Sequence, residues 1–137
     1  MRDRQTRVFL IDTDIASYAI KSQHKVASKL LELNSDQWGI SAISYHEIAF
    51  GLSLDGVSRK VQEDGPLFLD STTVFDFGPE AAKATAFVRK SLRVMGRPSG
   101  DFDTLIAGHA LSLDATLVSN NLKHFENVPG LKLESWL

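Results

Sequence analysis

The chain alternates between short apolar runs and longer stretches in which apolar residues recur every three or four positions. Arg7 to Asp12 (RVFLID) is a compact apolar run, as expected of a strand buried on both faces. Asp14 to Lys21 reads as a short helix, and His24 to Leu33 carries a helical stripe of Val26, Leu30, Leu31 and Leu33 ended by Asn34-Ser35-Asp36. Trp38 to Ala42 reads as a second strand. Ser44 to about Leu54 reads as a helix, with Ser44 as N-cap and Glu47 at capping-box spacing. Val57 to about Leu69 reads as helical despite Gly65-Pro66, and Thr72 to Phe77 alternates like a strand. Gly78-Pro79-Glu80 opens a long helix reaching Met95, with proline in its first turn. Gly96 to Gly100 is a loop, Asp101 to Leu113 a helix, Thr116 to Ser119 a buried strand and Leu131 to Leu133 a short edge strand. Strands alternating with helices imply an α/β fold, a parallel sheet with helices on both faces.

Composition narrows this picture. A length of 137 residues suits one ordinary domain, and 43% hydrophobic with 23% charged residues suits a soluble globular one. The apolar runs are too short to span a membrane. The opening MRDRQTRVFLID is basic and then apolar, but Asp12 and Asp14 break the run, so it reads as a polar lead-in to a strand rather than a signal peptide. The absence of cysteine excludes disulfides, thiolate zinc sites and thiol nucleophiles. Any metal must then be held by Asp, Glu, His or backbone oxygen, which favours a hard cation such as Mg²⁺ or Mn²⁺. A net charge of −2 gives no global attraction to a polyanion, so a nucleic-acid ligand would need a local basic patch.

In open parallel sheets, ligands bind at the carboxyl ends of the strands. Acidic residues fall there. Asp12 closes the first strand, Glu47 lies one turn into the helix after the second, and Asp103 lies in the first turn of the helix before the fourth. Ser119, Asn120 and Asn121 close that fourth strand. Each acid also has a structural use: Asp12 or Asp14 as a helix cap, Glu47 as a capping-box partner, and Asp101 and Asp103 as first-turn acids. Acids clustered without a cation repel one another and hold protons. A divalent ion can supply an activated water and relieve charge on a phosphodiester, and Mg²⁺ needs only one or two direct carboxylates.

Four segments in order resemble the PIN domains of VapC-type toxins: Leu10-Ile11-Asp12-Thr13-Asp14, Ile40 to Gly51 (ISAISYHEIAFG), Gly100 to Ala110 (GDFDTLIAGHA) and Thr116 to Phe125 (TLVSNNLKHF). The ending, Val128-Pro129-Gly130-Leu131 through Glu134-Ser135-Trp136, is similar to the family's as well. The resemblance spans essentially the whole chain. It implies a single PIN domain over residues 1–137, a three-layer α/β/α fold with a central parallel sheet of four to five strands. It also implies a Mg²⁺-dependent (or Mn²⁺-dependent) endoribonuclease that is the toxin of a type II toxin–antitoxin system. By position, Asp12 and Asp103 are the direct metal ligands, Glu47 completes the acidic set and helps position the attacking water, and Asn121 or Asn120 takes the fourth place. Ser119 matches a hydroxyl that supports the site. The resemblance further implies a cytoplasmic homodimer held by a small antitoxin, with RNA as substrate and no membrane partner. Two departures stand out. The fourth position is an amide rather than a carboxylate, which points to one tightly held ion, and Asp101 is an extra acid without an assigned role.

Arg89, Lys90, Arg93 and Arg97 form a basic cluster leading toward Asp103, fit either to steer phosphate or to sit in solvent at a helix C-terminus. His109 reads as a packed helix residue, and His46 as lying on a different helix side from Glu47. Trp38, Phe102, Phe125 and Trp136 read as core or interface. Two rival functions fit parts of the pattern. A haloacid-dehalogenase-like phosphatase also opens on a strand and Asp-x-Asp and requires Asp14, whereas a PIN nuclease tolerates its loss. A non-catalytic binding module would not need the full acidic set.

Overall fold

The computed structural model describes residues 7–137; the polar lead-in at residues 1–6 lies outside them. Five parallel strands form one sheet in the order β3-β2-β1-β4-β5. In chain order these are β1 (Phe9–Ile11), β2 (Trp38–Ser41), β3 (Val74–Phe75), β4 (Thr116–Val118) and β5 (Lys132–Glu134). The helices are α1 (Thr13–Ile20), α2 (Val26–Leu31), α3 (Ala42–Leu52), α4 (Arg59–Ser71), α5 (Pro79–Val94) and α6 (Asp101–Ser112). A 3₁₀ turn follows β4 at Leu122–His124.

The period-2 geometry of the strands divides the core into two layers. Phe9 and Ile11 of β1 and Val118 of β4 pack with Ile15, Ile20, Val26, Leu30, Ile48 and Leu69 from α1 to α4. Leu10 and Leu117, the alternate positions, pack on the opposite face with Val88, Leu92, Ile106, Ala107 and Ala110 of α5 and α6. This is why RVFLID shows no polar alternation: both faces of the strand are covered. The α5–α6 contact is close because Gly108 lies against Thr85. A Cβ there would come within 2.5 Å of the Thr85 Cα and 2.6 Å of its backbone nitrogen.

Two expectations change. Ser41, not Ser44, caps α3, its hydroxyl accepting from the Ile43 N–H at 3.0 Å. Ser44 lies inside the helix and is fully buried, so no capping box forms. The stripe from His24 yields only the six residues of α2, because Ser22, His24 and Lys25 adopt positive φ before it. The 57–69 segment is helical from Arg59 to Ser71 with Pro66 inside it.

β1 connects toward β2 on one side, whereas β4 lies on the other, so the strand order reverses between β1 and β4. The crevice beyond the carboxyl ends of these two strands is where an open α/β sheet binds its ligand.

Candidate active site

Asp12 and Ser119 are the residues that leave β1 and β4 at that crevice, and both are buried. Asp12 Oδ1 accepts from the Thr13 N–H at 2.8 Å and caps α1. Its Oδ2 accepts from the Ser119 hydroxyl at 2.8 Å. The Ser119 oxygen in turn accepts from the Asn121 N–H at 3.0 Å, which ties the turn after β4 to the carboxylate. The cap reading and the site reading of Asp12 are therefore both realised by one side chain.

Asp14, one residue into α1, faces the same turn. Its Oδ2 accepts from the Asn120 N–H at 3.2 Å and from the Asn121 amide Nδ2 at 3.4 Å. Sequence reasoning gave Asp14 no place in this nuclease site, yet the fold sets it beside Asp12. The signal was present in the Asp-x-Asp spacing at a strand–helix junction. Burial pushes Asp12 up to about 7, the charge of Asp14 adds to that, and Asp103 contributes further; the bonds from Ser119 and Thr13 work in the opposite direction. Asp14 is also raised, chiefly by burial, against stabilising bonds from the Ile15 and Asn120 N–H groups.

Glu47 reaches the site through Thr13. The Thr13 hydroxyl lies 2.8 Å from Glu47 Oε1 and 2.9 Å from the Ser44 hydroxyl. With one proton to give, Thr13 donates to the carboxylate, and Ser44 donates to Thr13. Glu47 is thus bound across α1 and α3 and does not fold back on its own helix as a capping residue. A second tie joins α3 to α6: His109, 1% exposed, places Nδ1 at 2.8 Å from the Ser41 hydroxyl. Burial lowers the His109 pKa, partly offset by Asp76, and favours the neutral ring. Since the Ser41 oxygen caps α3, this bond fixes the start of the Glu47 helix against the Asp103 helix. That matches the expectation of a packed, hydrogen-bonded histidine.

Asp103 is built differently. Its side chain is 29% exposed, and Oδ2 lies 3.0 Å from Nδ1 of His124 in the 3₁₀ turn. His124 was not foreseen; only the course of that turn brings it to Asp103. Asp101 pairs with Arg89 at 3.7 Å on an open surface, which gives the extra acid a partner away from the carboxylate centre. His46 is exposed, its Nδ1 2.9 Å from the Ile43 carbonyl, and its ring packs edge-on against Phe102. Phe102 is 47% exposed, so it is not a core residue, whereas Phe125 is buried and Trp136 packs on Phe9.

Among the described residues, no three Asp, Glu or His side chains form a closed metal cage. Each acid instead rests on a separate protein partner: Asp12 on Ser119, Glu47 on Thr13, Asp103 on His124. A hard divalent ion that keeps most of its waters does not require such a cage, since one or two direct carboxylates suffice. The burial of Asp12, and after it the repulsion from Asp14 and Asp103, would be offset by a bound cation.

The sheet order, the switch-point crevice and the Asp12–Ser119–Asn121 corner agree with the family match: the sequence fits the PIN domain model over residues 9–131, and the chain belongs to that family. Within it, the similarity is to VapC proteins. The tRNA(fMet)-specific endonuclease VapC of Shigella flexneri is 33% identical over 93% of this chain and 97% of its own length. Ribonuclease VapC2 of Rickettsia felis is 33% identical over 94% of this chain and 98% of its own. The Rickettsia felis VapBC2 structure bound to a promoter DNA fragment superposes with a TM-score of 0.84 at 32% identity, covering 95% of this chain and 99% of that one. The DNA-bound VapBC of Salmonella typhimurium gives 0.82 at 31% identity, covering 96% and 99%. These matches run through all four motif segments and displace the phosphatase reading.

Proposed function

We propose that this chain is the toxin of a VapBC-type toxin–antitoxin pair and acts as a Mg²⁺-dependent (or Mn²⁺-dependent) endoribonuclease. The observation that supports the chemistry is the buried Asp12 carboxylate, fixed by Thr13 and Ser119 at the turn that also holds Asp14, with no Lys or Arg paired to it among the described residues. Asp12 and Asp103 are the metal ligands in this reading, with the Asn121 amide at the fourth position and Glu47 completing the set. Asp12 and Asp103 would hold a divalent ion that supplies an acidified water and offsets charge on the phosphate. Glu47, oriented by Thr13, would position that water against phosphorus. As the water oxygen bonds to phosphorus the P–O ester bond breaks, and the proton the water releases ends on the leaving oxygen. Ser119 holds the Asp12 carboxylate in place throughout.

The names of the relatives support RNA as substrate, and the VapBC structures support a small antitoxin as partner. We place the protein in the cytoplasm as a single PIN domain that forms a homodimer. Among the described residues no helix is long and apolar enough to cross a membrane. The test is cleavage of structured RNA by the purified protein. Cleavage should require Mg²⁺ or Mn²⁺, cease with EDTA, and be lost in both Asp12→Ala and Asp103→Ala. Equal cleavage by both variants contradicts the assignment.

A further inference from the structure

A cleft of about 550 Å³ opens directly beside Asp103, with Arg97, Lys123 and His124 on its walls and Glu126 at its edge. A second depression, of about 240 Å³, carries Arg93 and Arg89, the latter paired with Asp101 on the same wall. The two share Leu92, Pro98 and Ser99, so they form one trough crossing the loop between α5 and α6. Of the site's acids, Asp103 lines it.

The cations along this trough differ from many others on the surface. Arg59, Lys60 and Lys132 each lie within 3.0 Å of a carboxylate. Arg93, Arg97 and Lys123 have no carboxylate partner within 4.0 Å among the described residues, and all three side chains belong to exposed residues. Unpaired like charges on one face repel; the C-terminus of α5 favours Arg93 in its last turn, but that field fades within a turn and does not account for Lys123, which lies on the turn after β4. A protein of net charge −2 that handles a polyanion needs a local positive field. Phosphates spaced along a strand supply the complementary charge, and each one neutralised releases counterions.

We infer that this trough is the track for the RNA backbone, with Arg97 and Lys123 holding the phosphates next to the scissile one and Arg93 continuing the path outward. The inference rests on the ribonuclease reading for its ligand, but it is tested by binding rather than by turnover. The probe is a fluorescein-labelled single-stranded RNA, followed by anisotropy in EDTA across a salt series. Replacing both residues in an Arg97→Ala, Lys123→Ala variant should weaken binding about tenfold at moderate salt. The slope of log K against log salt should become shallower by about 1.4, two contacts at roughly 0.7 each for a single strand. The control is Lys60→Ala, Lys83→Ala, which removes two exposed cations that line neither the trough nor the cleft beside Glu47; its slope should match the parent. The inference is overturned if the parent does not bind the RNA, if the trough variant keeps the parental slope, or if the control flattens it equally. Absence of Mg²⁺-dependent cleavage in a parent that binds with the expected slope would count against the ribonuclease reading alone. Retained cleavage with an unchanged slope would count against the trough alone.

Discussion

The two acids assigned as metal ligands occupy opposite environments. Asp12 is 5% exposed and fixed by the Thr13 N–H and the Ser119 hydroxyl. Asp103 is partly open and rests on an exposed histidine across a turn. The Asp12 corner is thus preorganised and electrostatically costly, whereas the Asp103 corner is adaptable and nearly free of strain. A buried carboxylate next to another acid is an expensive feature to keep in a fold. Its retention makes sense when the site's work needs a fixed negative charge, while the open acid can swing onto an ion brought by solvent or substrate.

The largest test of this contrast is Asp12→Asn, which keeps the size of the side chain and an acceptor for Thr13. Cleavage should fall by roughly a thousandfold or more, as for loss of a metal ligand. Stability should move the other way in the metal-free protein. The folded value of about 7 lies above the ordinary carboxylate value of 3.8, so the native state keeps a proton that the unfolded chain releases. This contribution is fully present below the unfolded value and is lost as pH rises through the folded one. Each unit is worth about 1.4 kcal/mol, so thermal melting at pH 8 without metal should place the variant roughly 5 °C or more above the parent. The gain should disappear near pH 4. Asp103→Asn should lose activity similarly but gain little stability, because its acid is already solvated.

Ser119→Ala gives a smaller effect on the same corner. It removes a bond that lowers the Asp12 pKa, so ionisation should need a higher pH. The acidic limb of the pH–rate profile should move upward by about one unit, with about tenfold less cleavage at pH 6.5 and recovery toward the parental rate at pH 9. A uniform loss at every pH would show instead that Ser119 acts by position alone.

His124→Ala should have the smallest effect on stability. Its contact with Asp103 is exposed on the histidine side, and exposed polar pairs of that kind contribute on the order of 1 kcal/mol or less. The melting temperature should change by no more than about 2 °C, measured with and without Mg²⁺. A larger drop would place Asp103 in the preorganised class with Asp12 and erase the contrast.

Much of this was readable in the sequence, for physical reasons. The apolar runs around Leu10 and Leu117 mark strands covered on both faces, and the Pro79 start of α5 is a local signal. The location of Asp12, Glu47 and Asp103 follows once the sheet is known to be parallel. The cap of α3 was misplaced because Ser41 and Ser44 both offer a hydroxyl near the helix start. Only the tertiary bonds of Ser41 to His109 and of Ser44 to Thr13 separate their roles. Asp14 has no place in the nuclease site read from sequence, because its partners Asn120 and Asn121 lie more than a hundred residues away and only the fold brings them to it. His124 was missed because its meeting with Asp103 depends on the path of a three-residue turn, which leaves no periodic trace.

If the Asp12 corner receives a divalent cation, the melting temperature at pH 8 should respond as Mg²⁺ is titrated into the parent and into Asp12→Asn. The parent should show a saturable rise, since an ion that binds only the folded state stabilises it, and the variant, which lacks the ligand carboxylate, little or none. An equal Mg²⁺ response in the two proteins, or none in the parent, would contradict cation binding at that corner.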